Sequence, residues 1–88
     1  MTYTVQATPI VRRALTEKLP EAVAVACWEF MNGPLLENPQ RVGKRLLPPL
    51  EDRHSARRGT YRVIYRIDEK NEIVTVVDVD RRRDVYRL

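Results

Sequence analysis

Ser55-Ala-Arg-Arg-Gly-Thr-Tyr-Arg-Val-Ile-Tyr-Arg-Ile67 is the stretch that determines the fold. Gly59 punctuates it. After the glycine, Tyr61, Val63, Tyr65 and Ile67 alternate with Arg62, Ile64 and Arg66, the period of a half-buried strand. The shorter, more polar run before the glycine reads as its hairpin partner. Arg57 and Arg58 then end one strand beside a tight turn, and Arg62 and Arg66 share one face of the next. A rigid sheet presenting several guanidinium groups suits a polyanion, because these forks match phosphate oxygens and stay charged at any relevant pH. Tyr61 and Tyr65 fall on the apolar face and are expected in the core. Arg66 is expected to be a solvated strand residue.

Outward from this stretch the chain reads as β-α-α-β-β-β. Tyr3, Val5 and Ala7 alternate with Thr4 and Gln6 as a first strand. Thr8-Pro9 then supplies an N-cap and a proline at the first helical position. Val11, Ala14, Leu15 and Leu19 give an amphipathic helix. From Pro20 to Met31 the sequence is apolar nearly all round, which predicts a second helix buried on most of its surface, with Cys27 and Trp28 in the core. Asn32-Gly33-Pro34 stops it. Residues 34–52 hold four of the six prolines and read as an irregular crossover. The Arg41-Val-Gly-Lys-Arg-Leu46 cluster in it either turns Lys44 and Arg45 toward a phosphate or is a basic loop with no partner. Arg53–Arg58 and Tyr61–Ile67 are the second and third strands. Ile73–Val79 is the fourth, with Ile73, Thr75, Val77 and Val79 on one face and Val74 and Val76 on the other. The expected fold is α+β: a helical hairpin on a small, mainly antiparallel four-stranded sheet, as a single domain over residues 1–88.

Composition sharpens this. The net charge is +4 and the pI about 9.6. Residues 1–40 carry three Lys/Arg against four Asp/Glu, and residues 41–88 thirteen against eight. The basic character therefore belongs to the sheet half, the footprint of a nucleic-acid partner. No apolar run is long enough for a membrane span and no signal-peptide pattern opens the chain. The single cysteine, Cys27, allows no internal disulfide, so the expected setting is a reducing cytoplasm. No Cys/His set for a structural metal is present, and no cofactor is expected.

These residues resemble the RelE/ParE toxin superfamily, and RelE-type toxins within it. The likeness is carried by Gly-Lys-Arg-Leu at 43–46, Arg-Arg-Gly-Thr-Tyr-Arg-Val-Ile-Tyr at 57–65 and Arg-Arg-Asp-Val-Tyr-Arg at 82–87. The resemblance implies a toxin that cleaves mRNA in the ribosomal A site and is neutralised by a RelB-like antitoxin. Operator DNA would be bound only through that antitoxin. It further implies that Arg62 stabilises the phosphorane, that Arg82 stands near the leaving oxygen, and that Tyr86 orients a displaced base. Arg57 would belong to the same catalytic stretch. Lys44, Arg45, Arg53, Arg58 and Arg81 are the implied RNA contacts. Two departures stand out. Arg53 and Ser55 occupy positions where well-known relatives carry lysines, one of them proposed as general base. Asp80 and Arg81 replace a common glycine and histidine.

Chemistry limits the roles. Lowering an arginine pKa from roughly 13 to near 7 would cost on the order of 8 kcal/mol, against about 5–15 kcal/mol of total stability for a domain. Arg53 is therefore a poor base, and the base is left unassigned. His54 has a suitable intrinsic pKa, but alternation puts it on the other side of the strand from Arg53 and Ser55. Arg83 and Arg87 are read as surface partners of Asp80 and Asp84. Two other functions compete: a ParE-like DNA gyrase inhibitor, and a degenerate domain that only binds an antitoxin.

Overall fold

In the computed structural model, residues 3–49, 52–58 and 61–80 are described. The chain opens with β1 (Thr4–Ala7) and enters α1 (Pro9–Arg13) through Thr8, whose hydroxyl accepts from the Val11 N–H. The predicted single helix then changes pitch. Ala14–Lys18 is a π-helical turn, closed by the Leu19 N–H donating to the Ala14 carbonyl. The Thr16 hydroxyl donates to the carbonyls of Arg12 and Arg13. It thus competes with the helix's own donors there, which favours the wider turn.

Next comes α2 (Glu21–Met31), followed by a single turn, α3 (Pro34–Glu37). Only one face of α2 is buried, through Cys27, Phe30 and Met31. Trp28 is 58% exposed and Val25 50%, so the expectation of a nearly enveloped helix with Trp28 in the core is corrected. The reason is layering. One sheet lies on one side of α2 and, among the described residues, nothing covers the other, so a helix apolar all round still buries a single stripe. Among the described residues no helix is long and apolar enough to cross a membrane.

Among the described residues the sheet has five strands rather than four, in the order β1-β5-β4-β3-β2. The extra one is β2 (Lys44–Arg45), two residues inside the expected crossover, paired antiparallel to β3 (His54–Arg58). The hairpin of β3 with β4 (Tyr61–Asp68) and the antiparallel β4–β5 pair are as expected, with β5 at Ile73–Asp80. β1 runs parallel to β5 at the far edge. Between β4 and β5 the register slips. Ile64 pairs with Asp78 and Tyr65 with Val76, leaving Val77 as a bulge. Val79 consequently joins Val74 and Val76 in the core, not Ile73 and Thr75 as strict alternation predicts.

The core lies between the helices and one face of the sheet. Val11, Cys27, Phe30, Met31 and Leu35 pack on Ala56, Tyr61, Val63, Tyr65, Val74 and Val76. Tyr65 is fully buried, and its hydroxyl donates to the Pro39 carbonyl at 2.6 Å. That bond ties the segment before β2 to the centre of the sheet. Gly43 lies against the same junction: a Cβ there would stand 2.7 Å from the Ser55 carbonyl oxygen and would overlap the Tyr65 hydroxyl.

Candidate nucleic-acid interface

The sheet divides the basic residues between two faces. On β4, Tyr61, Val63 and Tyr65 point to the helices, so Arg62, Ile64 and Arg66 point away. The β3–β4 register sets Arg57 opposite Arg62 and Ser55 opposite Ile64. Lys44 of β2 then pairs with Ser55. Arg57, Arg62 and Lys44 therefore share the face away from the helices, around the buried pair Ser55 and Ile64. Direct cross-strand partners stand only about 5 Å apart at Cβ. Two guanidinium groups so placed repel each other unless an anion or a carboxylate lies between them. Asp78, opposite Ile64, brings a carboxylate to this same face.

Two of the expected RNA contacts lie elsewhere. Arg58 pairs with Tyr61 on the helix face, and its guanidinium carbon stacks 4.0 Å from the centroid of the Phe30 ring. It is a packing residue of α2. Arg45 pairs with His54. His54 in turn stacks on the Tyr65 ring, with centroids 5.6 Å apart, so Arg45 also belongs to the helix side. Burial, then the Arg45 charge, lowers the His54 pKa, with Glu69 opposing. His54 is thus off the arginine face, as alternation indicated. Arg53 precedes β3; its Nε lies 3.9 Å from an Asp52 carboxylate oxygen, too far for a hydrogen bond, and is buried without a partner. Arg81, Arg82 and Tyr86 lie outside the described residues, as do Arg83, Asp84 and Arg87.

Sequence reasoning missed Asp78, because the bulge that carries it to this face is invisible to a period of two. The missed signal was a carboxylate closing an otherwise apolar run. Two clefts flank Trp28, of about 690 and 450 Å³, one between the helices and one between α2 and β1. Neither touches the arginine face. Among the described residues no cluster of His, Cys, Asp or Glu is arranged to hold a metal.

A helical hairpin over such a sheet is the architecture of toxins from toxin–antitoxin pairs. The toxin–antitoxin complex RelBE2 of Mycobacterium tuberculosis superposes with a TM-score of 0.87 at 46% identity, covering 93% of this chain and all of the matched one. The archaeal RelE–RelB complex of Pyrococcus horikoshii gives 0.72 at 30% identity, over 94% and 99%. Residues 2–86 match the family described as the ParE toxin of the type II toxin-antitoxin system parDE, and the chain belongs to that family. Among curated relatives, Toxin RelE of M. tuberculosis is 51% identical over 72 residues, 82% of this chain and 74% of the relative. Toxin RelG of the same organism is 48% identical over 87 residues, 99% of each.

Proposed function

We propose that this toxin is a ribosome-dependent endoribonuclease that cuts mRNA in the A site and so arrests translation. The observation that carries the reading is the Arg57–Arg62 cross-strand pair, with Lys44 beside it, on the sheet face opposite the described helices. Relatives named RelE and RelG at about half identity support RelE-type chemistry.

In this reaction the 2′-oxygen of one nucleotide attacks the adjacent phosphorus. A base takes the 2′-proton, the 5′-oxygen of the next nucleotide leaves with a proton, and the upstream product ends in a 2′,3′-cyclic phosphate. The phosphorane carries extra negative charge, and Arg57 and Arg62, fixed side by side by the β3–β4 register, supply the charge that neutralises it. Arg82 assists at the leaving oxygen and Tyr86 stacks on a displaced base.

The partner in the cell is a RelB-like antitoxin, as in the solved complexes of relatives. An acidic, amphipathic segment that folds as it binds suits so basic a surface. Operator DNA is reached through it, and the toxin acts in the cytoplasm with the ribosome.

The test is cleavage of a defined mRNA on programmed 70S ribosomes, mapped by primer extension. Arg62→Ala should lower the cleavage rate by about 10²–10³, the usual loss of one charge-stabilising donor. Full cleavage by a folded Arg62→Ala protein refutes the reading. The match to the ParE toxin family keeps the second reading from the sequence, a ParE-like inhibitor of DNA gyrase, in play. Growth arrest without ribosomal cuts would select it.

A further inference from the structure

Arg66 is a basic residue of this face with no part in the proposed cleavage step. It lies on β4, four residues after Arg62, and the β3–β4 register is unbroken from Tyr61 to Tyr65. Both side chains therefore project from the same face, about 13 Å apart along the strand. The register carried one step past His54 and Tyr65 sets residue 53 level with residue 66. The face thus has two guanidinium levels, Arg57 with Arg62 and Arg53 with Arg66, separated by Ser55 and Ile64. That separation exceeds the roughly 8 Å Debye length of physiological salt, so one phosphate does not serve both levels.

The local acids are committed elsewhere. The Asp68 carboxylate accepts from the Asn71 backbone N–H at 3.1 Å and from its side-chain amide at 2.9 Å. Glu69 accepts from the Gln40 amide at 2.9 Å. Arg66 is exposed and, among the described residues, forms no hydrogen bond or ion pair. At Arg53, a buried Nε–H has no acceptor, and a buried donor left unpaired costs about 1–3 kcal/mol. Arg66 thus has no anionic partner among the described residues, and Arg53 has only the distant Asp52 carboxylate, 3.9 Å from its Nε and beyond hydrogen-bond reach.

We propose that Arg66, with Arg53 at its level, is a second phosphate subsite, taking a backbone phosphate of the RNA strand beyond the one held at Arg57 and Arg62. The subsite rests on the endonuclease reading and assigns part of that substrate's path. Its ligand chemistry is a phosphodiester oxygen, supplied by the mRNA strand. A ribosomal RNA phosphate is the alternative source.

The test uses the full chain and a short 2′-O-methyl single strand, which cannot be cleaved. Affinity is measured across a salt series for wild type, Arg66→Gln and Lys70→Gln, the last an exposed cation on the β4–β5 turn. Arg66→Gln should weaken binding several-fold and flatten the slope of log K against log salt by about 0.7, one phosphate contact of a single strand. Lys70→Gln should leave both unchanged. Identical slopes for Arg66→Gln and wild type, or no binding by wild type, overturn the assignment to mRNA. A loss confined to ribosome binding moves the phosphate to ribosomal RNA and also overturns it. The ribosomal cleavage assay separates the two claims. Wild-type cuts with an unaltered Arg66→Gln sink the subsite alone. Arg66-dependent strand binding without cuts sinks the endonuclease alone.

Discussion

Tyr65→Phe removes one oxygen from the centre of the molecule, and its cost follows from three observations. The side chain is fully buried. Its hydroxyl donates to the Pro39 carbonyl at 2.6 Å. Burial pushes the phenol up to about 12, so it remains a protonated donor across the neutral range. Without it, the Pro39 carbonyl faces a ring edge. A buried acceptor deprived of its donor costs about 1–3 kcal/mol, and we expect about 2. For a domain of this size that lowers Tm by roughly 10 °C. With a urea m value near 1.5 kcal/mol/M, the midpoint falls by about 1.3 M. Gly43→Ala probes the same junction from the other side. Its Cβ would meet the Ser55 carbonyl oxygen at 2.7 Å and overlap the Tyr65 hydroxyl. Neither can retreat, since one is strand backbone and the other is held by Pro39. Overpacking of this kind costs about 1–3 kcal/mol. In the double variant the missing oxygen frees part of that space, so the two costs should couple by at least about 0.5 kcal/mol rather than add. Urea unfolding followed by circular dichroism reads all three proteins. An unchanged midpoint for Tyr65→Phe, or strict additivity, refutes the claim that this hydroxyl anchors the segment carrying Lys44.

Arg58→Ala should destabilise by about 1 kcal/mol through loss of the Phe30 contact and the packed stem, with Arg58→Lys recovering part of it, while RNA binding is unchanged; calorimetry paired with strand binding separates the two. His54 is held neutral because burial and Arg45 lower its pKa below the ordinary 6.5. The unfolded chain therefore binds the proton more readily, and stability should decline as pH falls below about 6.5. His54→Gln should flatten the curve in that window, and an equally steep fall in the variant would exclude His54 as its source. Glu72 holds a left-handed backbone, φ 56°. A glycine there relieves about 1–2 kcal/mol of strain against about 0.5–1 kcal/mol of extra chain entropy. Glu72→Gly should thus raise the urea midpoint slightly, and a lower midpoint would show that the side chain contributes more than the strain costs.

How much of this was legible depends on where each signal lives. The Tyr61–Ile67 alternation is local, so it specified β4, its two faces and a hairpin partner before Gly59, while the Arg57–Arg62 pairing is fixed by the register. The first strand, the Thr8 cap and the second helix are local signals too. Trp28 was misplaced because apolarity says what can be buried, while the number of layers decides how much is. Arg58 and Arg45 lie on the helix side, which charge alone does not indicate and parity does. In a strand, Arg57 and Arg58 must point to opposite faces, and only Arg57 has the parity of Arg62 across the hairpin. β2 escaped notice because two residues carry no period; it exists through pairing with β3. The π-helical turn depends on carbonyl competition from Thr16, which an apolar pattern does not register.

The bulge at Val77 shows how the arginine face and the core are reconciled. A regular β5 would place Asp78 with Val74 and Val76, against the helices, and would turn Val79 to the other face. Burying a carboxylate there without a partner costs several kcal/mol even after relaxation. A bulge leaves one residue unpaired and bends the strand locally, with little else disturbed. The cheaper arrangement is the one observed: Val77 is left out of the pairing, Asp78 crosses to the arginines, and Val79 enters the core. The same shift that protects the core supplies the cationic face with its carboxylate. In this strand, core packing therefore decides which charge reaches the site, and the register of β5 is part of the interface as much as Arg57 and Arg62 are.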